Sequence, residues 1–478
     1  MSSTVPLTGS MPPVRHGGAV AAVLALALVS GCTWPFAQGE RREVAGLPVL
    51  HMTADRTLEE AAVPTTVDAH AWVWKSPGGS DIQRILPVPT GAVVHMDDGV
   101  AGLDTATGET VWSFRFQEHG IRTDVAPTPD RRRVAVVADE AVVLLDSATG
   151  AEIGVYEYEP GPRTIGPTRL AIDGPAGLVV DAGLVSARPQ EIGAIDVTLD
   201  PWAFDGDDRG WHTEVRACDE GISPPRIEGG FAFPGGVVLL HGCGEPKGSD
   251  DPAEDAGVSE LVALDANDGE ELWRLRTGED FTVEHHENNP GNGGHFAVLD
   301  GVAVRQNLAP HRGTLVIDTV AGEVISDELP HLMATTESDF VVRVLSDGYV
   351  ALAGAGLSRH GEQWGRYELR DFSGRARAAV PAKIVQADGL LPLEDALVRL
   401  DWTDPDDPHL VVLDWDGTGE PTARIPTEVK VETREVTGRT QAEMEVGPAG
   451  TFVAVPGAVL LREYRHGRPQ TRISGFTG

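Results

Sequence analysis

Lysine is almost missing from this chain: it occurs at Lys75, Lys247, Lys383 and Lys430 only, and arginine supplies the rest of the 38 basic side chains. Against them stand 73 acidic residues, a formal charge of −35. Such a surface repels the phosphates of nucleic acid and the headgroups of anionic lipid, so neither is expected as an electrostatic partner. Cysteine is also scarce, with three residues and neither a C-x-x-C nor an adjacent pair. That leaves a thiol redox motif, a haem attachment site and a zinc ribbon without support. No apolar run is long enough to cross a bilayer as a helix, which takes about 20 residues. The chain has no G-x-S-x-G, no phosphate-cradling G-x-x-x-x-G-K-[ST] and no H-E-x-x-H, so three common catalytic constellations drop out. What it has is turn material: 56 Gly and 34 Pro in a chain that is 41% hydrophobic, enough for a large core interrupted often.

Near the N-terminus, Arg15 and His16 precede an apolar run from Ala19 to Val29, followed by small residues and Cys32. The run has the length of a secretory signal core. Val29-Ser30-Gly31-Cys32 resembles the lipobox of bacterial lipoproteins, which implies cleavage after residue 31 and acylation of the Cys32 thiol. A chain this acidic needs a covalent anchor to stay at an anionic surface. The localisation expected is therefore outside the cytoplasm, with the membrane reached through the N-terminal lipid alone. With Cys32 set aside, Cys218 and Cys243 remain as a pair, and in an oxidising compartment they are expected to form a disulfide. Residues 32–68 carry no sustained period of either 2 or 3.6 and read as a flexible tether, giving an end-to-end distance of roughly 30 Å.

From residue 69 onward one pattern recurs. VAGLDTATGETVWSF at 100–114, VVLLDSATGAEIGVY at 142–156, LVALDANDGEELWRL at 261–275 and TLVIDTVAGEVIS at 314–326 each place Asp four residues before Gly. The pairs are Asp104 and Gly108, Asp146 and Gly150, Asp265 and Gly269, and Asp318 and Gly322. Weaker echoes lie around Asp196, Asp371, Asp414 and Arg462, with steps of 42 to 69 residues through the series. Each unit is an apolar run too short for a helix, a turn closed by Gly, and a second run: a β-hairpin. The Asp carboxylate can accept backbone N–H groups across the turn and Gly can take positive φ, so these residues read as structural. Another strand-like segment precedes each hairpin, and a fourth strand completes a blade. Sheets of this kind cannot bury both faces alone and stack radially. The expectation is an all-β protein, a closed β-propeller of four-stranded blades over 69–478, with eight blades or, because the copy near Asp196 is poor, seven. Residues 71–77 are a candidate to pair with the last blade and close the ring.

The strong copies approach A-x-D-x-x-T-G-x-x-x-W and resemble the PQQ-like (quinoprotein-type) propeller repeat, carried by Ala263, Thr107, Thr149, Trp112 and Trp273 beside the Asp and Gly positions. Gly154 and Ser326 stand where two copies would have tryptophan, which weakens the case for a complete girdle between blades. The resemblance implies a choice. Quinoprotein dehydrogenases bind pyrroloquinoline quinone and calcium with an adjacent cysteine pair, a stacking Trp and a catalytic Asp, and this sequence offers no such set. Propeller lipoproteins of the outer-membrane barrel-assembly machinery have a similar repeat and no catalysis. The expectation is a monomeric, non-enzymatic binding or scaffold module without a cofactor, for an envelope protein or extracellular ligand. The alternative is a degenerate quinoprotein-type or metal-dependent enzyme.

One stretch has metal-ligand chemistry: Glu284, His285, His286 and His295 lie in a polar, Gly-rich segment. Adjacent histidines on a strand point to opposite faces, so at most one of His285 and His286 could join His295, and a solvated connection is the expectation. The acidic stretches 204–210, 249–257 and 401–409 lack the regular spacing of a calcium loop.

Overall fold

In the computed structural model, the described residues are those of 39–478 outside 158–176, 203–209, 217–225, 244–257, 284–295, 302–313, 330–339, 428–449 and stretches of five residues or fewer. Among them the only helical turn is a short 3-10 segment at Pro77–Gly79, and everything regular besides is β-strand. Short β-branched and aliphatic runs such as RVAVVA (Arg133–Ala138) and AVVLLD (Ala141–Asp146) are buried on both faces, which accounts for apolar runs without strict alternation.

The strands form eight antiparallel sheets. Six are four-stranded meanders of consecutive strands: blade 2 over 123–157, blade 3 over 177–216, blade 4 over 226–276, blade 5 over 281–329, blade 6 over 340–384 and blade 7 over 390–426. Blade 1 has its meander over 82–116 and two further strands on its outer edge. In blade 8 the strands Gly450–Val455, Ala458–Glu463 and Arg472–Thr477 are completed by Ala69–Lys75, from the other end of the chain. That strand pairs Trp74 with Ile473 and Lys75 with Arg472, so the segment read as a candidate for closure does join first and last blades.

Packing shows the order of the sheets around the ring. Blades 1 and 2 share a core that includes Val93, Phe114, Val136 and Val143. The same holds for blades 2 and 3, 3 and 4, 4 and 5, 5 and 6, 6 and 7, and 7 and 8. An eighth cluster, with Val455 and Leu460 from blade 8 and Val94 and Leu103 from blade 1, returns to the start. Each sheet thus buries one face against each neighbour, as a propeller requires. The first strands of successive blades approach one another across the sheet boundaries, which puts them innermost.

Two sequence expectations need correction. Residues 32–68 are not a loose tether throughout: Glu40–Val44 and Leu47–Met52 form a hairpin whose second strand pairs with the outer strand of blade 1, Val49 opposite Phe116. Val44 and Val49 are buried there, a contribution that periodicity misses because the first strand, ERREV, carries a single apolar residue and the second does not alternate. Residues 53–68 then run as a strap across one face. Ala54 N–H donates to Thr149 O at 2.8 Å in blade 2 and Ala61 N–H to Pro89 O at 3.1 Å in blade 1. Ala62 O receives Gly457 N–H from blade 8 at 2.8 Å, and Thr65 O receives Asp395 N–H from blade 7 at 3.1 Å. Val67 is buried in the core between blades 7 and 8.

The second correction concerns the weak repeats. Asp196 lies in mid-strand, opposite Arg188 and Glu214, and the corresponding hairpin connection of blade 3 follows Pro201. Arg462 lies in the second strand of blade 8, because that blade's last hairpin is split between the two ends of the chain. Eight blades exist, although two of the eight markers fall at other positions within them.

Candidate interaction face

In a meander, the turn joining strands one and two and the turn joining strands three and four leave the sheet at the same edge. All the strong Asp–Gly turns therefore lie on one face of the ring. Asp146 Oδ1 accepts the N–H groups of Ala148 at 3.1 Å and Thr149 at 2.8 Å, while its backbone carbonyl accepts Gly150 N–H at 2.8 Å. Asp104 accepts Ala106 N–H at 3.0 Å, Asp265 accepts Asn267 N–H at 2.7 Å, and Asp318 accepts Val320 and Ala321 N–H at 2.8 Å. The four glycines take φ between 65° and 73°, conformations a side chain would strain. These aspartates are occupied in closing turns.

Each of these turns also receives a tryptophan from the preceding blade. Trp112 donates its indole N–H to Ser147 O at 3.1 Å, and Trp273 donates to Thr319 O at 2.9 Å. Two more were not anticipated: Trp72 of blade 8 donates to Thr105 O at 2.9 Å in blade 1, and Trp211 of blade 3 to Ala266 O at 3.1 Å in blade 4. Beneath each ring sits the glycine of the receiving turn: Gly108 under Trp72, Gly150 under Trp112, Gly269 under Trp211 and Gly322 under Trp273. Where tryptophan is replaced, the cross-strand partner grows. Gly102 faces Trp112 and Ala263 faces Trp273, whereas Leu144 faces Gly154 and Val316 faces Ser326. The larger partner fills part of the volume that a tryptophan would take. At the seam of blades 6 and 7, Pro381 takes the tryptophan's place against Gly419.

On this scaffold the turns differ in what they show to solvent. The strap covers turns of blades 7, 8, 1 and 2. On blades 4 and 5 the turns are open, and there sit the large exposed hydrophobics of the described residues: Leu272, Val320 and Val324, 46%, 56% and 43% accessible. Exposed Asp268, Glu270, Glu271 and Glu323 surround them. In blade 2 the equivalents of Val320 and Val324 are Ala148 and Glu152, and that of Leu272 is the half-buried Ile153. On the same face, Asp130 N–H of blade 2 donates to Asp181 Oδ1 of blade 3 at 3.3 Å. Burial, and next the charge of Asp130, push the Asp181 carboxyl up to about 6. Within the seam of blades 1 and 2, burial and then the Arg84 charge lower His95 to about 4, and its Nε2 lies 3.0 Å from Thr123 Oγ1.

Several predicted positions lie outside the described residues: Cys32, Cys218, and the Glu284, His285, His286 and His295 set. Cys243 ends the second strand of blade 4, but its proposed partner is among them. Among the described residues no three His, Cys, Asp or Glu side chains are grouped as metal ligands.

Residues 63–187 match a family model, PQQ_2, described as outer membrane protein assembly factor BamB. No curated protein matches the sequence. Among solved structures, the WD40 domain of SCAP from fission yeast is similar over 86% of this chain and 97% of that chain, at 9% identity and a TM-score of 0.40. Dihydro-heme d1 dehydrogenase NirN in complex with DHE is similar over 80% of this chain and 72% of that one, at 13% identity and a TM-score of 0.37. Likenesses of that strength carry nothing about activity. The chain is a β-propeller, and its residues 63–187 are similar to the PQQ-like repeat of that family model.

Proposed function

We propose that the protein is an exported lipoprotein, anchored through Cys32, whose propeller is a non-enzymatic binding module for another protein of the cell envelope. The observation that carries this reading is that the large exposed hydrophobics of the described residues, Leu272, Val320 and Val324, all lie at or beside the turns of two neighbouring blades, 4 and 5, away from the turns that the strap reaches. Exposed apolar side chains gathered on one rigid patch are what a protein partner buries. The acidic rim of Asp268, Glu270, Glu271 and Glu323 favours a partner whose own rim is basic. The match of residues 63–187 to a family described as an assembly factor supports the same class of role.

A photo-crosslinking residue placed at Val320, and separately at Asp97 on the opposite face, tests the proposal in intact cell envelope. One discrete protein adduct from Val320 and none from Asp97 is the expected result. Equal labelling from both positions, or none from Val320 and Leu272, would overturn it.

A further inference from the structure

One blade of the ring already carries an added strand. Leu47–Met52 lies along the outer strand of blade 1, Glu109–Phe116, with Arg115 opposite Leu50, Phe114 opposite His51 and Ser113 opposite Met52. Under that cover Trp112, Ser113, Phe114 and Phe116 are buried. The same hairpin reaches blade 2, where His51 Nε2 lies 2.7 Å from Gly150 O and Arg42 pairs with Glu152. It therefore seals both the edge of blade 1 and the start of the outer strand of blade 2.

Blades 4 and 5 repeat this seam without the seal. Trp273 stands where Trp112 does: each donates its indole N–H to the residue after the next blade's turn aspartate, Thr319 and Ser147. The register of the two hairpins slips at the same step, between Gly102 and Leu103 and between Ala263 and Leu264. Yet Glu271–Arg276 ends its sheet, and among the described residues no strand pairs with its outer edge. Trp273 and Leu275 are only half-buried there, whereas their counterparts Trp112 and Phe114 are wholly buried. Val324 occupies the position of Glu152, opposite Ile317 and so on the side of blade 5 that faces blade 4, and is 43% accessible. An edge strand holds alternate N–H and C=O groups outward, and an extended chain can pair with them. Proline interrupts that row in the outer strands of blades 6 and 7, at Pro381, Pro421 and Pro426. Glu271–Arg276 has no proline.

We propose that this edge receives an extended segment of the partner protein as a fifth strand, antiparallel to Glu271–Arg276 in the register that Leu47–Met52 takes on blade 1. The proposal rests on the reading of blades 4 and 5 as the partner-binding face and adds the mode of binding. Side chains of the segment that turn toward blade 5 meet Trp273, Leu275 and Val324, which selects apolar residues at alternate positions. Exposed Glu270, Glu271 and Glu323 at the turn end select lysine or arginine beside them.

The probe is a short synthetic peptide of alternating valine and threonine flanked by lysines, added to the whole protein and followed by amide hydrogen exchange and calorimetry. At saturation, exchange over residues 271–276 should slow about tenfold, while that over 110–116, whose edge is taken, stays unchanged. The same peptide with proline at every threonine keeps its charge and its valines and should not bind, because its backbone donors are gone. Leu275→Ala should weaken the valine–threonine peptide about tenfold, with Val324→Ala as the second variant should the first fail to fold. Unchanged exchange over 271–276, equal binding of the proline peptide, or parental affinity in the variants overturns the proposal. A partner adduct from Val320 together with an unprotected edge would leave the binding face standing and remove strand addition alone.

Discussion

Trp112 of blade 1 is wedged between two glycines, Gly102 of its own sheet and Gly150 of the next. A Cβ at Gly102 would fall 2.0 Å from its indole nitrogen, and one at Gly150 would fall 2.5 Å from Cδ2. Gly150 thus carries two constraints, a φ of 65° and a ring against its α-carbon, whereas Gly235 has a φ of 87° and nothing within 4 Å. Gly150→Ala should cost about 3 kcal/mol, from positive φ and overpacking together, and Gly235→Ala about 1 kcal/mol from φ alone. Urea unfolding of the two variants checks this; equal costs would remove the ring contact from the account.

The N-terminal strap predicts a dependence on where the folded domain is cut. A protein beginning at residue 69 loses the buried Val44, Val49 and Val67 and the strap hydrogen bonds to blades 1, 2, 7 and 8. Each buried valine contributes about 2 kcal/mol, so the shortened protein should unfold at clearly lower urea than one beginning at residue 39. Coincident midpoints would mean the strap is passive.

The pattern of success in the sequence follows the physics of each feature. The Asp-x-x-x-Gly turns were legible because turn closure demands those residue types at fixed spacing, and the strand at 71–77 because closing a ring needs one. Trp72 and Trp211 were missed as girdle residues because one lies far from its blade in the chain and the other follows a hairpin connection without the motif. Gly154 and Ser326 looked like erosion of the girdle, since the compensating Leu144 and Val316 become partners only once the strand register is known.

Asp181 makes stability depend on pH in a definite direction. Its folded pKa of about 6 lies above the ordinary 3.8, so the folded state holds the proton more tightly than the unfolded chain. Its stabilising contribution is present below about pH 4 and is lost as pH rises through about 6. Asp181→Asn should therefore stabilise the protein at neutral pH and flatten its stability profile between about pH 4 and 6. His95, lowered to about 4, has the opposite sign, its contribution being lost as pH falls from about 6.5 through 4. A profile unchanged by Asp181→Asn would show that burial, with the charge of Asp130 second, does not raise the Asp181 carboxyl.

A direct measurement tests for quinone chemistry. The folded domain from residue 39 should show neither stoichiometric binding of pyrroloquinoline quinone in calorimetry nor calcium-dependent oxidation of alcohols or sugars in a dye-linked assay. Turnover with bound quinone would replace the binding-module proposal with an enzyme.

Lipid attachment has its own test. Cys32→Ser should leave the precursor uncleaved or release the protein from the detergent phase, with loss of the acyl mass. Unchanged partitioning and mass would end the lipoprotein reading.

The hairpin at 40–52 also sets the length of the leash. With that segment stitched to the outer edge of blade 1, the first strand begins eight residues after Cys32, whereas the sequence alone reads as a tether running to residue 68. Eight residues span at most about 28 Å fully extended. An acyl chain on Cys32 would then confine the ring to a shallow layer above the bilayer, with blade 1 always the attached rim. A partner in the same membrane would meet the domain at the high local concentration of a short linker, in a restricted set of orientations.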